Sequence, residues 1–124
     1  MYRGKEVRVQ LTPEANEVYE DLNRIVGQEK IKGIKSSFHQ TLFRSINRTK
    51  ELLKENPFVG NQLHERQIPP KYIEKYGVKN VWRAELADRW RMIYTIRGNQ
   101  VEIVIFVMDI FNHRDYDKVF GYKH

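Results

Sequence analysis

At 124 residues, 40% of them hydrophobic and 31% charged, the chain suits a single domain over residues 1–124 with a genuine core, and it is too apolar for a disordered chain. No apolar run approaches the roughly 20 residues of a bilayer span, "MYRGKEVRVQ" lacks a signal-peptide core, and there is no cysteine for disulfides, thiolate chemistry or Cys-ligated zinc; a cytoplasmic protein with no membrane partner is expected. The net charge of +6 is unevenly spread: residues 1–34 balance, residues 35–80 carry an excess of five positive charges and residues 81–124 an excess of one, which suits RNA, DNA or an acidic protein as partner, or simply a basic solvated surface.

"EVRVQL" alternates, with Val7, Val9 and Leu11 opposite Glu6, Arg8 and Gln10, and predicts a strand with one wet face. Thr12-Pro13-Glu14 then supplies a helix cap, a proline at the first helical position and an acid near the positive end of the dipole. The apolar stripe Ala15, Val18, Tyr19, Leu22, Ile25 and Val26 predicts a first helix ending near Gly27. Ser37 with Gln40 forms a capping box for a second helix running to about Glu55, its apolar face Phe38, Leu42, Ile46, Thr49 and Leu53, its other side Lys35, Arg44, Arg48 and Lys54. Asn56-Pro57 stops it.

Residues 57–80, with three prolines and two glycines, read as a long ordered connection with room for a short helical turn at 70–76. Strands are expected at about 80–87, 89–97 and 101–108, joined as hairpins through Ala87-Asp88 and Gly98-Asn99, the last of them central and covered on both faces. The order β-α-α-β-β-β predicts an α+β fold, two N-terminal helices packed on one face of a small antiparallel sheet, with the opposite face free of helices.

Alternation places Trp82, Ala84, Leu86, Trp90, Met92, Tyr94 and Ile96 under the helices and leaves Arg83 and Arg91 on the other face. An arginine inside a strand needs an internal acid or an external anion: Glu85 or Asp88 could neutralise the pair across strands, or a phosphate could. The tail adds His113, Arg114, Tyr116, Asp117 and Lys118 where the sheet hands over to a loop. A histidine moves protons near neutral pH, arginines hold phosphate through two hydrogen bonds, and RNA cleavage by its own 2′-hydroxyl needs such a set and no metal or other cofactor. Alternatively, His113 caps a turn and Tyr116 anchors the C-terminal segment. His39, His64, His113 and His124 lack ligand spacing, Asp115-x-Asp117 lacks the rest of a calcium loop, and no glycine-rich phosphate loop is present.

Three stretches in this order, "PPKYIEKYGVKNVWRAEL", "WRMIY" and "DIFNHRDYDKVFGY", together with the pattern of elements, resemble the RelE/ParE superfamily of type II toxin–antitoxin toxins, in its archaeal-looking RelE-like branch, over nearly the whole chain. The resemblance implies a microbial-ribonuclease-like fold, neutralisation by an antitoxin, and either ribosome-dependent cleavage of mRNA, as in RelE-like members, or poisoning of DNA gyrase, as in ParE-like members. By resemblance Arg83, Arg91, His113, Arg114 and Tyr116 are the catalytic candidates, while Lys35, Arg44, Arg48, Lys54, Lys71 and Lys79 would contact RNA. The C-terminal segment departs from the family's His-Arg-x-x-x-Tyr form, with Lys118 where the tyrosine would stand and Tyr116 two residues early.

Overall fold

The computed structural model describes residues 1–121, so that His124 lies outside the described residues. The chain runs through β1 (Glu6–Leu11), α1 (Pro13–Ile31), α2 (Phe38–Glu55), β2 (Asn61–Gln62), α3 (Pro70–Tyr76), β3 (Trp82–Glu85), β4 (Arg91–Gly98), β5 (Glu102–Phe111) and α4 (His113–Phe120). Thr12 caps α1 by accepting from the Ala15 amide, and the Ser37 hydroxyl caps α2 by accepting from the Gln40 amide. Among the described residues no helix is long and apolar enough to cross a membrane.

The strands form one sheet in the order β1-β5-β4-β3-β2. From β5 to β2 all neighbours are antiparallel, but β1 lies parallel to β5, with Glu6 beside Glu102 and Leu11 beside Val107. The expected all-antiparallel sheet is therefore a mixed one, because α1 and α2 carry the chain back over the sheet and let β1 pair with the last strand. The order with two helices is likewise extended: α3 occupies the 70–76 turn of the long connection, β2 adds a two-residue edge, and the tail is helical from His113 to Phe120. Asn112 accepts from the Asp115 amide at 2.8 Å and Gly121 closes α4 in the left-handed region at φ 73°, a cap-and-stop pair that makes the tail a helix. α1 continues past Gly27 to Ile31, since one exposed interior glycine weakens a helix without ending it. Between β3 and β4 the chain makes a three-residue turn at Ala87–Arg89 rather than a two-residue hairpin loop, whereas Asn99 closes the β4–β5 hairpin, its side chain accepting from the amides of Val101 and Glu102.

α1 and α2 cover one face, where Leu22, Leu42, Ile46 and Leu53 meet Ala84, Met92, Tyr94, Ile105 and Val107. The other face is not free of helices: Tyr72 of α3 and Tyr116 of α4 build a second core there with Leu63, Val78, Val81, Ile93 and Met108. A bulge links the two faces. Ile93 pairs with Asp109 but Tyr94 with Val107, so Met108 is an extra residue in β5 and the alternation reverses around it. Ile110 thereby stays with the α1–α2 core, while Asp109 and Phe111 turn towards α3 and α4. The Thr12 hydroxyl donates to the Met108 carbonyl at 2.9 Å, tying the bulge to the start of α1. At the far edge the Tyr94 hydroxyl donates to the Pro57 carbonyl and accepts from the Gly60 amide. A Cβ at Gly60 would lie 2.5 Å from that hydroxyl and 2.7 Å from the Arg83 carbonyl, so only glycine lets this loop seat against the sheet.

Candidate active site

Antiparallel register places Glu85 of β3 directly across from Arg91 of β4, with Arg83 two residues back on the same face. The Glu85 carboxylate lies 3.1 Å from Arg83 Nε and 3.2 Å from Arg91 Nε, so one acid spans both arginines. The Arg91 side chain is 13% exposed and that of Glu85 49%, which leaves the carboxylate on the solvent side of the pair. Arg91 also donates to the Arg89 carbonyl. Below the guanidinium groups lies the Tyr116 ring, 5.1 Å from that of Arg91 and 5.6 Å from that of Arg83, and its hydroxyl accepts from Arg83 Nη1 at 2.8 Å. Tyr116 is 1% exposed and stacks on Phe120, so it anchors α4 against the sheet while holding the arginines from beneath.

The Ala87–Arg89 turn supplies the next charge. Asp88 and Arg89 adopt φ of 54° and 63°, left-handed values that cost a non-glycine residue about 1 kcal/mol or more each. The turn is pinned from both sides: the Leu86 amide donates to the Trp90 carbonyl at 2.8 Å, and the Ala87 amide to the Ser45 hydroxyl of α2 at 2.9 Å. This geometry carries Arg89 towards α4, where its Nη2 lies 3.0 Å from His113 Nε2. One helical turn beyond His113, the Asp117 carboxylate lies 3.2 Å from the same nitrogen. On the same face Asp109 accepts from the Tyr72 hydroxyl at 2.7 Å and pairs with Lys71 at 3.1 Å. Burial first, and then the Asp109 charge, push the Tyr72 hydroxyl well above the ordinary tyrosine range and keep it a donor.

Arg83, Arg91, His113 and Tyr116 therefore meet at one end of the second face, and Arg114 stands exposed beside them on α4. Of the RNA-contact candidates, Arg44 and Arg48 line a groove of about 420 Å³ that is lined also by Glu85, the acid paired with the strand arginines. Lys35 precedes α2 and lines a separate hollow with Arg44. Lys54 pairs with Glu51, Lys71 with Asp109, and Lys79 lines a hollow beside Gly98; none of these three joins the cluster. Arg89 was not among the sequence candidates and Asp117 was only noted in the tail; the four-residue step from His113 to Asp117 becomes a pairing signal once the tail is read as a helix. Among the described residues no group of histidines and acids could hold a metal ion.

The cluster can do two things chemically. It can hold an anion, if Glu85 yields its place between the arginines, and it can move a proton through His113. No sequence-family model and no curated protein matches the chain. Among solved structures it is similar to a YoeB/ParE toxin from Agrobacterium tumefaciens, at 15% identity with a TM-score of 0.55, over 86% of this chain and 98% of the other. At that identity the likeness establishes the fold alone, which is that of the YoeB/ParE toxin.

Proposed function

We propose that the chain is the toxin of a type II toxin–antitoxin system and that it cleaves mRNA on the ribosome. The 2′-oxygen attacks the adjacent phosphorus while its proton leaves, the bond to the 5′-oxygen breaks, and that oxygen takes up a proton. Arg91 and Arg83 hold the phosphate as negative charge grows on it, Arg114 extends the positive surface, and His113 moves the proton. Tyr116, buried, braces the two strand arginines. Arg44 and Arg48 in the adjoining groove, with Lys35, contact ribosomal RNA, and salt weakens that contact. An antitoxin of acidic character neutralises the whole. The observation that carries this reading is the convergence of Arg83, Arg91 and Arg89 with His113 on one edge of the second face.

A second reading has its own support. Glu85 already pairs with both strand arginines and Tyr116 has no exposed hydroxyl to offer substrate, as suits a binding module that acts on gyrase or another target without cutting RNA. Primer extension on mRNA bound to purified cognate ribosomes separates the two. Arg91→Ala is expected to reduce cleavage about a hundredfold, equivalent to about 2.7 kcal/mol of transition-state stabilisation, with Arg91→Lys recovering part of it. Equal cutting by wild type and Arg91→Ala removes the catalytic role of Arg91, and no cutting by folded wild type selects the binding module.

A further inference from the structure

His113 Nε2 sits between two groups that ask opposite things of it. The Asp117 carboxylate, 3.2 Å away and largely buried, can only accept, so it pairs with a protonated Nε2. The Arg89 guanidinium, 3.0 Å away, can only donate, so it pairs with a bare Nε2. One ring nitrogen cannot satisfy both in the same protonation state.

We infer that Asp117 is a positioning residue for His113 and that Asp117 and Arg89 together form a selector, Asp117 holding the imidazolium and Arg89 the neutral ring. The imidazolium has its proton directed along α4, and the neutral ring is held by the turn that carries Arg89. When Nε2 gains or loses its proton, its bond passes from one partner to the other without a change of backbone. The left-handed conformation of Arg89 is what brings its guanidinium to this nitrogen, so the strain in the turn has a chemical purpose. The elements packed around the ring carry other charges: Arg114 and Asp115 on α4, Arg91 on β4, and Arg83 and Glu85 on β3. Asp117 and Arg89 both reach Nε2 itself, from α4 and from the turn.

The inference rests on the proposed nuclease only for the use to which the proton is put, and the test keeps the two apart. Ring titration of His113 by NMR is followed in the free protein, in wild type, Asp117→Asn and Arg89→Asn. Asparagine keeps the size and one oxygen of Asp117, and at position 89 it accepts the left-handed backbone better than most residues. Loss of the carboxylate is expected to move the midpoint to lower pH and loss of the guanidinium to higher pH, opposite in sign. Midpoints that move together, or an Asp117→Asn midpoint equal to that of wild type, overturn the inference. Should Asp117→Asn not fold, as judged by its thermal melt, Arg89→Asn decides: an upward shift supports the selector and no shift overturns it. In the ribosome assay Asp117→Asn is expected to reduce kcat about tenfold with KM little changed, and to move the histidine limb of the pH–rate profile in the same direction as the ring titration. Inactive wild type sinks the nuclease reading, and the titration still judges the selector.

Discussion

On one face of the sheet, Leu42, Ile46 and Leu53 of α2 meet Met92 and Ile105 with no accessible surface; on the other, Ile93 and Tyr116 are buried just as deeply but share their surroundings with Arg83, Arg91 and Asp109. The first face is held by area removed from water, which is indifferent to direction. The second is held as much by directed contacts: Tyr72 to Asp109 and Arg83 to Tyr116. Polar groups buried in this way tolerate only the partners they have, because an unmatched one costs about 1–3 kcal/mol. The candidate site lies on the face where direction matters.

Ile46→Ala and Arg91→Ala test that division most strongly. Ile46 is fully buried on the first face, so its truncation is expected to cost about 3–4 kcal/mol in urea unfolding. Arg91→Ala is expected to cost about 1 kcal/mol or less, since the Glu85 it leaves behind is half exposed and can turn to water. Comparable losses for the two would erase the contrast. Tyr72→Phe, which removes a donor from the second face without changing its shape, is expected to cost about 1–2 kcal/mol, with Asp109 keeping Lys71 as its partner. A neutral result would mean that area alone holds this face too.

The smallest effect concerns the tie between the faces. Glu14 at the start of α1 pairs with Lys75 of α3, and the hydrogen bond from that ammonium holds the Glu14 carboxyl down at about 2. A depressed acid contributes stability above its unfolded pKa and loses it as pH falls towards the folded value, so the contribution is present above about pH 4.5 and gone near pH 2. Glu14→Gln is therefore expected to be slightly less stable than wild type at neutral pH and equal to it near pH 2, with high salt narrowing the gap at neutral pH because the pair is exposed. A gap that survives at low pH would assign the effect to packing.

The first face was legible in the sequence because burial on one side leaves a periodic trace. The stripes from Ala15 to Val26 and from Leu42 to Leu53 hold the buried residues of α1 and α2, and alternation correctly divided Trp82, Ala84, Met92 and Tyr94 from Arg83 and Arg91. What escaped was non-local or out of phase. The parallel pairing of β1 with β5 leaves no mark on either strand, and the extra residue at Met108 reverses an alternation that the sequence shows as an unbroken apolar run. α4 was missed because its apolar residues are few, Tyr116, Val119 and Phe120, although Asn112 and Gly121 mark both ends. Without that helix, His113 and Asp117 are merely near neighbours in a tail, and Arg89 has nothing to point at.

The parallel strand also sets the order in which the molecule can be made. β1 finds its only ladder partner among the described residues in β5, with Glu6 beside Glu102, so the opening strand waits for nearly the whole chain before it has anything to pair with. A contact of such long sequence separation carries a loop-closure cost and slows folding. Until it forms, Val7 has no sheet to cover it, and Thr12 cannot reach the Met108 carbonyl that fixes the bulge. That bulge also aims the end of β5 at α4, so the Thr12 contact joins the end of the first strand to the strand that leads into His113.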